Sequence, residues 1–598
     1  MAMTVAVVGL LLFNPVWTTL RFSGLFGEFL SMQLAYDEPY YFWQLQQEIE
    51  QGTLDINYRL LSKLPGAVLL WAGASYDVML TMYGLLMPLL AFAGAVFLAG
   101  TWERWSLGRL IWALLILFSF DFLSGSSRII DYEPPAVWLA DLVGNPALLK
   151  PDVLSFFLVH RRPEPQASWI AVFFYWAILL RAFLDGRRST YLVPCATTPL
   201  LVFTYVNIAV AAILVFAALS VCSIVLFKRP IVVPFALSMA AATATCILLY
   251  GIGTTSSVAA RMTFHTHMPM LRPSVALALC GLVWAGVAMR RTGIQPPAVA
   301  AAVFFAVPAI VLNQQIVTGL AVMPQNWEVY IDYACIAVGG GLMSGGFLSS
   351  FERHRDWRQF LPVGLLFLIG FVVVQGAWRN EADWKLDNVR SVLFRDVLAQ
   401  ARARVGTVDA VILPHFFDES LFLTRVPAGT VVLGGYNTML SKPVPTWAND
   451  QSFDDHARAA STHFASGFEV LFRSGITPQQ LETNMREEMK TGDCWLGSIY
   501  FFAQSDCWPN LQNYTSPAIR RLPSAVPAVV DLYRRYLERD ASADLARHKV
   551  LLIRNQPIPA GPDGVIDNQL VASREMEVDG KPVRVYGYLQ RPRQAVSR

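Results

Sequence analysis

The chain has 598 residues, of which 54% are hydrophobic and only 15% charged, and its mean hydropathy is +0.42. With apolar runs recurring through its first two thirds, that composition excludes an ordinary soluble globular protein and predicts an integral membrane protein. A formal net charge of +3 with no polybasic block argues against a nucleic-acid partner.

Apolar segments fall at 3–20, 79–100, 109–124, 168–184, 191–206, 208–227, 231–252, 274–289, 297–312, 331–349 and 360–376, which predicts about eleven transmembrane helices. The first has neither a basic leader nor a small-residue cleavage site, so a retained helix is expected and not a signal peptide. The region 191–227 is too long for one helix, and the polar Thr204, Tyr205 and Asn207 offer a turn between two short ones. Arg104 and Arg109, Arg181, Arg187 and Arg188, Lys228 and Arg229, Arg290 and Arg291, and Arg353, Arg355 and Arg358 all fall on one side of this arrangement. By the positive-inside rule that side is cytoplasmic. The N-terminus is then inside, while Asp37, the loops 125–167, 253–273 and 313–330, and everything after 377 are outside.

Asp37 and Glu38, followed by Tyr40, come directly after the first apolar segment. Two adjacent carboxylates beside a bilayer are costly unless they work on something; the simpler reading is the solvated start of an interfacial loop. Farther along that loop, 58–71 is half-apolar with Pro65 inside and is expected to lie in the interface plane. Such a segment forms either a collar or a roof that holds Asp37 over a cavity. The loop 125–167 closes on His160, Arg161, Arg162, Pro165 and Gln166 just before a helix begins. Arginine's planar fork suits phosphate, and a helix N-terminus adds backbone donors, although paired arginines can also simply touch lipid headgroups. Arg261 and Arg272 in the loop 253–273 are further cations on the same side. Between the ninth and tenth segments stand Asn313, Gln314 and Gln315, then Gln325, Asn326, Trp327 and Glu328. Amides, an indole and a carboxylate suit sugar hydroxyls, and an ordinary polar loop with an interfacial Trp has the same composition.

In order and sidedness these pieces resemble the GT-C superfamily of membrane glycosyltransferases, in the bacterial branch that takes a sugar from a polyprenyl-phosphate carrier. The resemblance covers about the first 380 residues. It rests on Asp37 and Glu38, on an Arg-x-x-x-Pro-Gln-x-Ser stretch made by Arg161, Pro165, Gln166 and Ser168, and on 313–319 with Gln325 and Trp327. Asn326 stands where that branch often has a His. The resemblance implies Asp37, supported by Glu38, as the base that deprotonates the acceptor hydroxyl. It implies Arg161 and Arg162 on the departing lipid phosphate, with Arg261 and Arg272 in reserve. Tyr40, Gln166, Asn313, Gln314, Gln325, Trp327 and Glu328 would then read the sugar and the acceptor. The implied partners are a polyprenyl-phosphate sugar donor, the bilayer, and a glycan, lipid or protein acceptor; the implied location is a bacterial inner membrane.

No cofactor is called for with certainty, and a divalent cation could join Asp37 to Asp131 and Glu133. His265 and His267 have a spacing that can ligate, yet such a pair in a loop is a common accident. No Walker or Rossmann glycine pattern occurs, which argues against an ATP-driven pump or a cytosolic nucleotide-sugar enzyme. Two other classes fit the same segments: a lipid-linked oligosaccharide flippase or polymerase, and a non-catalytic envelope scaffold.

After 377 the spans stop and charged residues become common. The expectation is a membrane domain over 1–378 and a soluble, extracytoplasmic α/β domain over 379–598, with strands at 408–414, 429–433 and 548–553, a helix at 524–538, and a hairpin over 571–589 turning at Asp579 and Gly580. His415, Asp418 and Glu419 follow a strand directly, where functional residues gather, and a solvated turn is the simpler account. Cys195, Cys222, Cys246, Cys280 and Cys335 lie in or beside apolar segments as small apolar side chains. Cys494 and Cys507 are expected to form a disulfide in an oxidising compartment.

Overall fold

The structure is a computed structural model, and it describes residues 5–13, 16–17, 59–120, 165–252, 263–265, 272–322, 327–345, 360–379, 381–413, 431–434, 475–491, 549–555, 566–578 and 580–592, with isolated positions between them. Contacts divide the chain into two units: Met1–Ala35, Gln51–Ser256 and His265–Glu381 make one, and Tyr36–Glu50, Ser257–Phe264 and Ala382–Arg598 the other.

The first unit is helical. After a helix over 5–13 it contains α1 (Leu60–Trp71), α2 (Tyr76–Ala99), α3 (Ser106–Leu117), α4 (Gln166–Asp185), α5 (Arg188–Thr197), α6 (Val206–Val225), α7 (Val232–Ile252), α8 (Pro273–Thr292), α9 (Pro296–Val311), α10 (Tyr333–Ser344) and α11 (Phe360–Arg379). Local chemistry sets many of the boundaries. Ser75 caps α2 by accepting from the Val78 amide at 3.3 Å, and proline opens α8 and α9 where a missing N–H does no harm. Gly186 ends α4 at φ +71°, a left-handed cap that favours glycine.

Among the described residues five helices (α2, α4, α6, α7 and α8) are long and apolar enough to cross a membrane. Helix occupies each of the eleven segments expected, but several pieces fall short. The twelve residues of α3 rise only about 18 Å against a hydrocarbon core of about 30 Å. The region 188–203 is divided between α5 and the 3-10 turn Thr198–Phe203, because Pro194 and Pro199 interrupt the α ladder. Thr204 and Tyr205 then separate this piece from α6, as their polarity suggested.

Glycines let the helices approach. Phe305 of α9 lies between α8 and α10, where a Cβ on Gly339 would stand 2.9 Å from its ring and one on Gly281 would overlap it. Large apolar side chains face outward, among them Leu237 and Leu248 on α7 and Phe367 and Phe371 on α11. In water such a surface would be a liability; against lipid it is ordinary contact. The five cysteines of this unit are free.

The second unit holds α12 (Glu381–Val405), β1 (Ala410–Leu413), β2 (Val431–Gly434), α13 (Pro478–Thr491), β3 (Val550–Arg554), β4 (Ile566–Val578) and β5 (Lys581–Pro592). The sheet runs β2-β1-β3-β5-β4. β1 pairs in parallel with both β2 and β3, while β5 runs antiparallel to β3 and β4. β4 and β5 form the expected hairpin, with Gly580 at φ +73° in its turn and a register shift between Leu570 and Ala572. Val397 of α12 packs so close beneath Gly587 that a Cβ there would meet it at 2.8 Å, so that helix covers one face of the sheet. The described positions of 524–538 are helical.

Candidate functional site

The starts of α4, α6, α8 and the turn before α10 meet at one end of the helical unit. Gln166 and Ser168 in the first turn of α4 are fully buried. Ser168 Oγ accepts from the Tyr205 amide at 3.0 Å, and Trp169 Nε1 donates to the Tyr330 carbonyl at 2.7 Å. The Tyr205 and Tyr330 rings meet edge to face at 5.3 Å, and the Arg59 guanidinium lies 5.4 Å from the Tyr205 centroid. At the other end Gly341 of α10 abuts Trp102, and Arg229 donates to the Phe183 carbonyl. The loops rich in Arg and Lys gather there.

The centre of the first end is Glu328. Arg272, the residue before Pro273, donates through Nε to Glu328 Oε2 at 2.8 Å, with side-chain exposures of 11% and 4%. Ser274 Oγ donates to Oε1 at 3.0 Å and the Tyr333 hydroxyl to the same oxygen at 3.4 Å. Three donors on one buried carboxylate tie the start of α8 to the start of α10. An incoming phosphate would have to share Arg272 with Glu328.

Glu328–Asp332 is a π turn, a form that occurs mostly as single turns at functional sites. One such turn beyond Glu328 lies Asp332, which has no exposed surface, and neither of its carboxylate oxygens has a hydrogen-bond partner. A buried polar group left unpaired is costly, which marks Asp332 as a candidate functional group. Sequence reasoning passed over Asp332 because it stands inside the apolar run 331–349; its one signal was that it is the only acid in that run. Ser274 and Trp169 were also passed over, since their partners are distant in the chain, and Tyr205 was read only as part of a turn.

The loop after α9 is held locally. Thr318 Oγ1 donates to the carbonyl and to Oε1 of Gln314, at 3.1 and 2.9 Å, and Gly319 at φ +72° ends the turn Gln315–Thr318. Exposed His267 places Nδ1 3.1 Å from the Ile316 carbonyl. Asn313 and Gln314 are half-buried, and Trp327 is 8% exposed, so its ring is packed inside the bundle.

Of the residues singled out by sequence, Gln166, Arg272, Trp327 and Glu328 therefore belong to the converging helix starts, and Asn313 and Gln314 to the neighbouring loop. Asp37, Glu38, Tyr40, Arg161, Arg162, Arg261, Gln325, Asp131, Glu133, His415, Asp418, Glu419, Cys494 and Cys507 lie outside the described residues. Among the described residues no group of three or more His, Cys, Asp or Glu could hold a metal ion. No protein-family model matches the chain, and no curated protein matches it.

Proposed function

We propose that the chain is an integral membrane glycosyltransferase that moves a sugar from a polyprenyl-phosphate-linked donor to a glycan, lipid or protein acceptor on the extracytoplasmic side. The reading includes a GT-C-like bundle of about eleven crossings, with N-terminus in the cytoplasm and the C-terminal domain outside. The observation that carries it is the gathering of Gln166, Arg272, Trp327 and Glu328 at the end of the bundle opposite the basic loops. The described members of those motifs and the helix starts that suit an anion thus share one end. In this reading Asp37 takes the acceptor proton, Glu38 supports it, and Arg161 and Arg162 stabilise the departing lipid phosphate. Arg272, already paired with Glu328, stays in reserve with Arg261.

The test is Asp37→Asn in purified, reconstituted protein. Transfer is expected to fall at least ~100-fold with insertion and melting temperature unchanged; full activity in the variant refutes the assignment. Asp332 favours a second reading, a lipid-linked oligosaccharide flippase, since translocation pathways keep acids at membrane depth. Vesicle assays of lipid-linked sugar movement separate the two: a flippase moves the lipid without transferring its sugar, and needs Asp332 more than Asp37.

A further inference from the structure

The C-terminal sheet has the topology in which ligands bind beyond the carboxyl ends of strands. β1 lies between β2 and β3, all parallel, so the chain passes from β1 to β2 on one side and returns past β1 to β3 on the other, which makes a switch point between β1 and β3. β3 ends at Arg554. Directly opposite Arg554 on β5 is Tyr586, and opposite Tyr586 on β4 is Ser573. Residues opposed in an antiparallel ladder project from the same face, so Arg554, Tyr586 and Ser573 form one row across three strands. Leu552 and Tyr588 make the next row on that face. Exposure rises from Leu552 at 0% through Tyr588 at 6% to half-buried Arg554 and Tyr586 and exposed Ser573. The face therefore opens at the strand end.

The chemistry of this opening is specific. Tyr586 and Tyr588 stack with ring centroids 6.4 Å apart, and the Ile558 amide donates to the Tyr588 hydroxyl at 3.1 Å, folding the chain after β3 back over the strand. Arg584, farther along the face, is engaged by Glu575 through both Nε and Nη2 at 2.9 and 3.2 Å. Arg554 has no such carboxylate among the described residues: its Nε is buried without a hydrogen-bond partner, as is Asn555 Oδ1. Burial draws the Arg554 guanidinium down from its ordinary value, with Tyr588 opposing more weakly.

We propose that this row is a binding site for an acidic sugar, a hexuronate residue of a glycan, with the carboxylate on the Arg554 fork, the ring on Tyr586, and a hydroxyl bonding to Ser573. Arginine's paired donors match a carboxylate, an aromatic face accepts the apolar side of a sugar ring, and a serine hydroxyl both donates and accepts. The assignment concerns binding by the C-terminal domain and does not rest on the transferase reading.

The experiment is calorimetric titration of the purified full chain in detergent with glucuronate, glucose and inorganic phosphate. Glucuronate should bind saturably, and glucose and phosphate at least ~10-fold more weakly, because only glucuronate offers both charge and ring. Arg554→Gln, at an unchanged melting temperature, should weaken glucuronate at least ~10-fold, with Arg554→Lys in between. Should Arg554→Gln not fold, Tyr586→Ala is read for the same loss. The proposal is overturned if glucuronate does not bind, if glucose or phosphate binds as tightly, or if glucuronate binding survives these substitutions. None of these readings involves sugar transfer, so failure of the site and failure of the transferase reading remain separate results.

Discussion

Glu328 and Asp332 are two acids one π turn apart with opposite surroundings. Glu328 accepts from Arg272, Ser274 and Tyr333, whereas Asp332 accepts from nothing. Breaking a buried ion pair leaves the remaining charge uncompensated, at about 3–5 kcal/mol. Glu328→Gln is accordingly expected to lower the melting temperature of the purified protein sharply. Asp332→Asn, which keeps the shape and removes no partner, should leave it unchanged or raise it. Equal losses in the two variants would mean that Asp332 also holds a stabilising contact. Glu328 was visible in the sequence as a polar residue in a plausible loop. Its pairing with Arg272 and Ser274 was not, because they come from the start of another helix 56 and 54 residues away.

At the scale of the element, α1 shows how a helix accommodates a proline. Pro65 has no amide to donate back to residue 61. In the next position the Gly66 amide donates to the Tyr83 hydroxyl at 3.1 Å, and that hydroxyl donates to the Ser62 carbonyl at 2.5 Å. A side chain of α2 is thus inserted into the ladder of α1, a recognised cause of a local bend. Tyr83→Phe strands a buried donor and a buried acceptor, so thermal unfolding should report a loss of about 1–3 kcal/mol; an unchanged transition would show that the ladder closes without the hydroxyl. The Pro65 interruption was legible in the sequence, and its repair by Tyr83 was not. The same holds in the C-terminal unit, where alternation and a turn at Gly580 announced the hairpin, while the β-bulge near Val571 left no pattern to read.

For the whole molecule, the helix directions put the loops after α2, α4, α6 and α8 at one end and the starts of α4, α6, α8 and α10 at the other. Cysteine-accessibility mapping of intact cells should therefore find residues 100 and 355 facing the cytoplasm and residues 150 and 450 facing outward. In the same preparation Cys494 and Cys507 should resist alkylation until reduced. A cytoplasmic result at 450 would reverse the sidedness of everything after α4 and remove the basis for that disulfide.

Hydropathy, proline and glycine are local properties, and through them the sequence by itself determined where apolar helices form among the described residues, the break at Thr204 and Tyr205, and the strands of the C-terminal sheet. Which helix is long enough to cross was less legible, because 3-10 and π turns depend on packing as much as on composition. Partners were decided only by the tertiary structure. The Trp169 to Tyr330 bond joins residues 161 apart and the Arg272–Glu328 pair residues 56 apart; neither separation carries a periodic signal. The order β2-β1-β3-β5-β4 likewise brings Arg554 beside Tyr586. Hydrogen bonds and ion pairs form between groups that folding brings within about 3 Å, and that proximity is a property of the packed chain, not of any stretch within it.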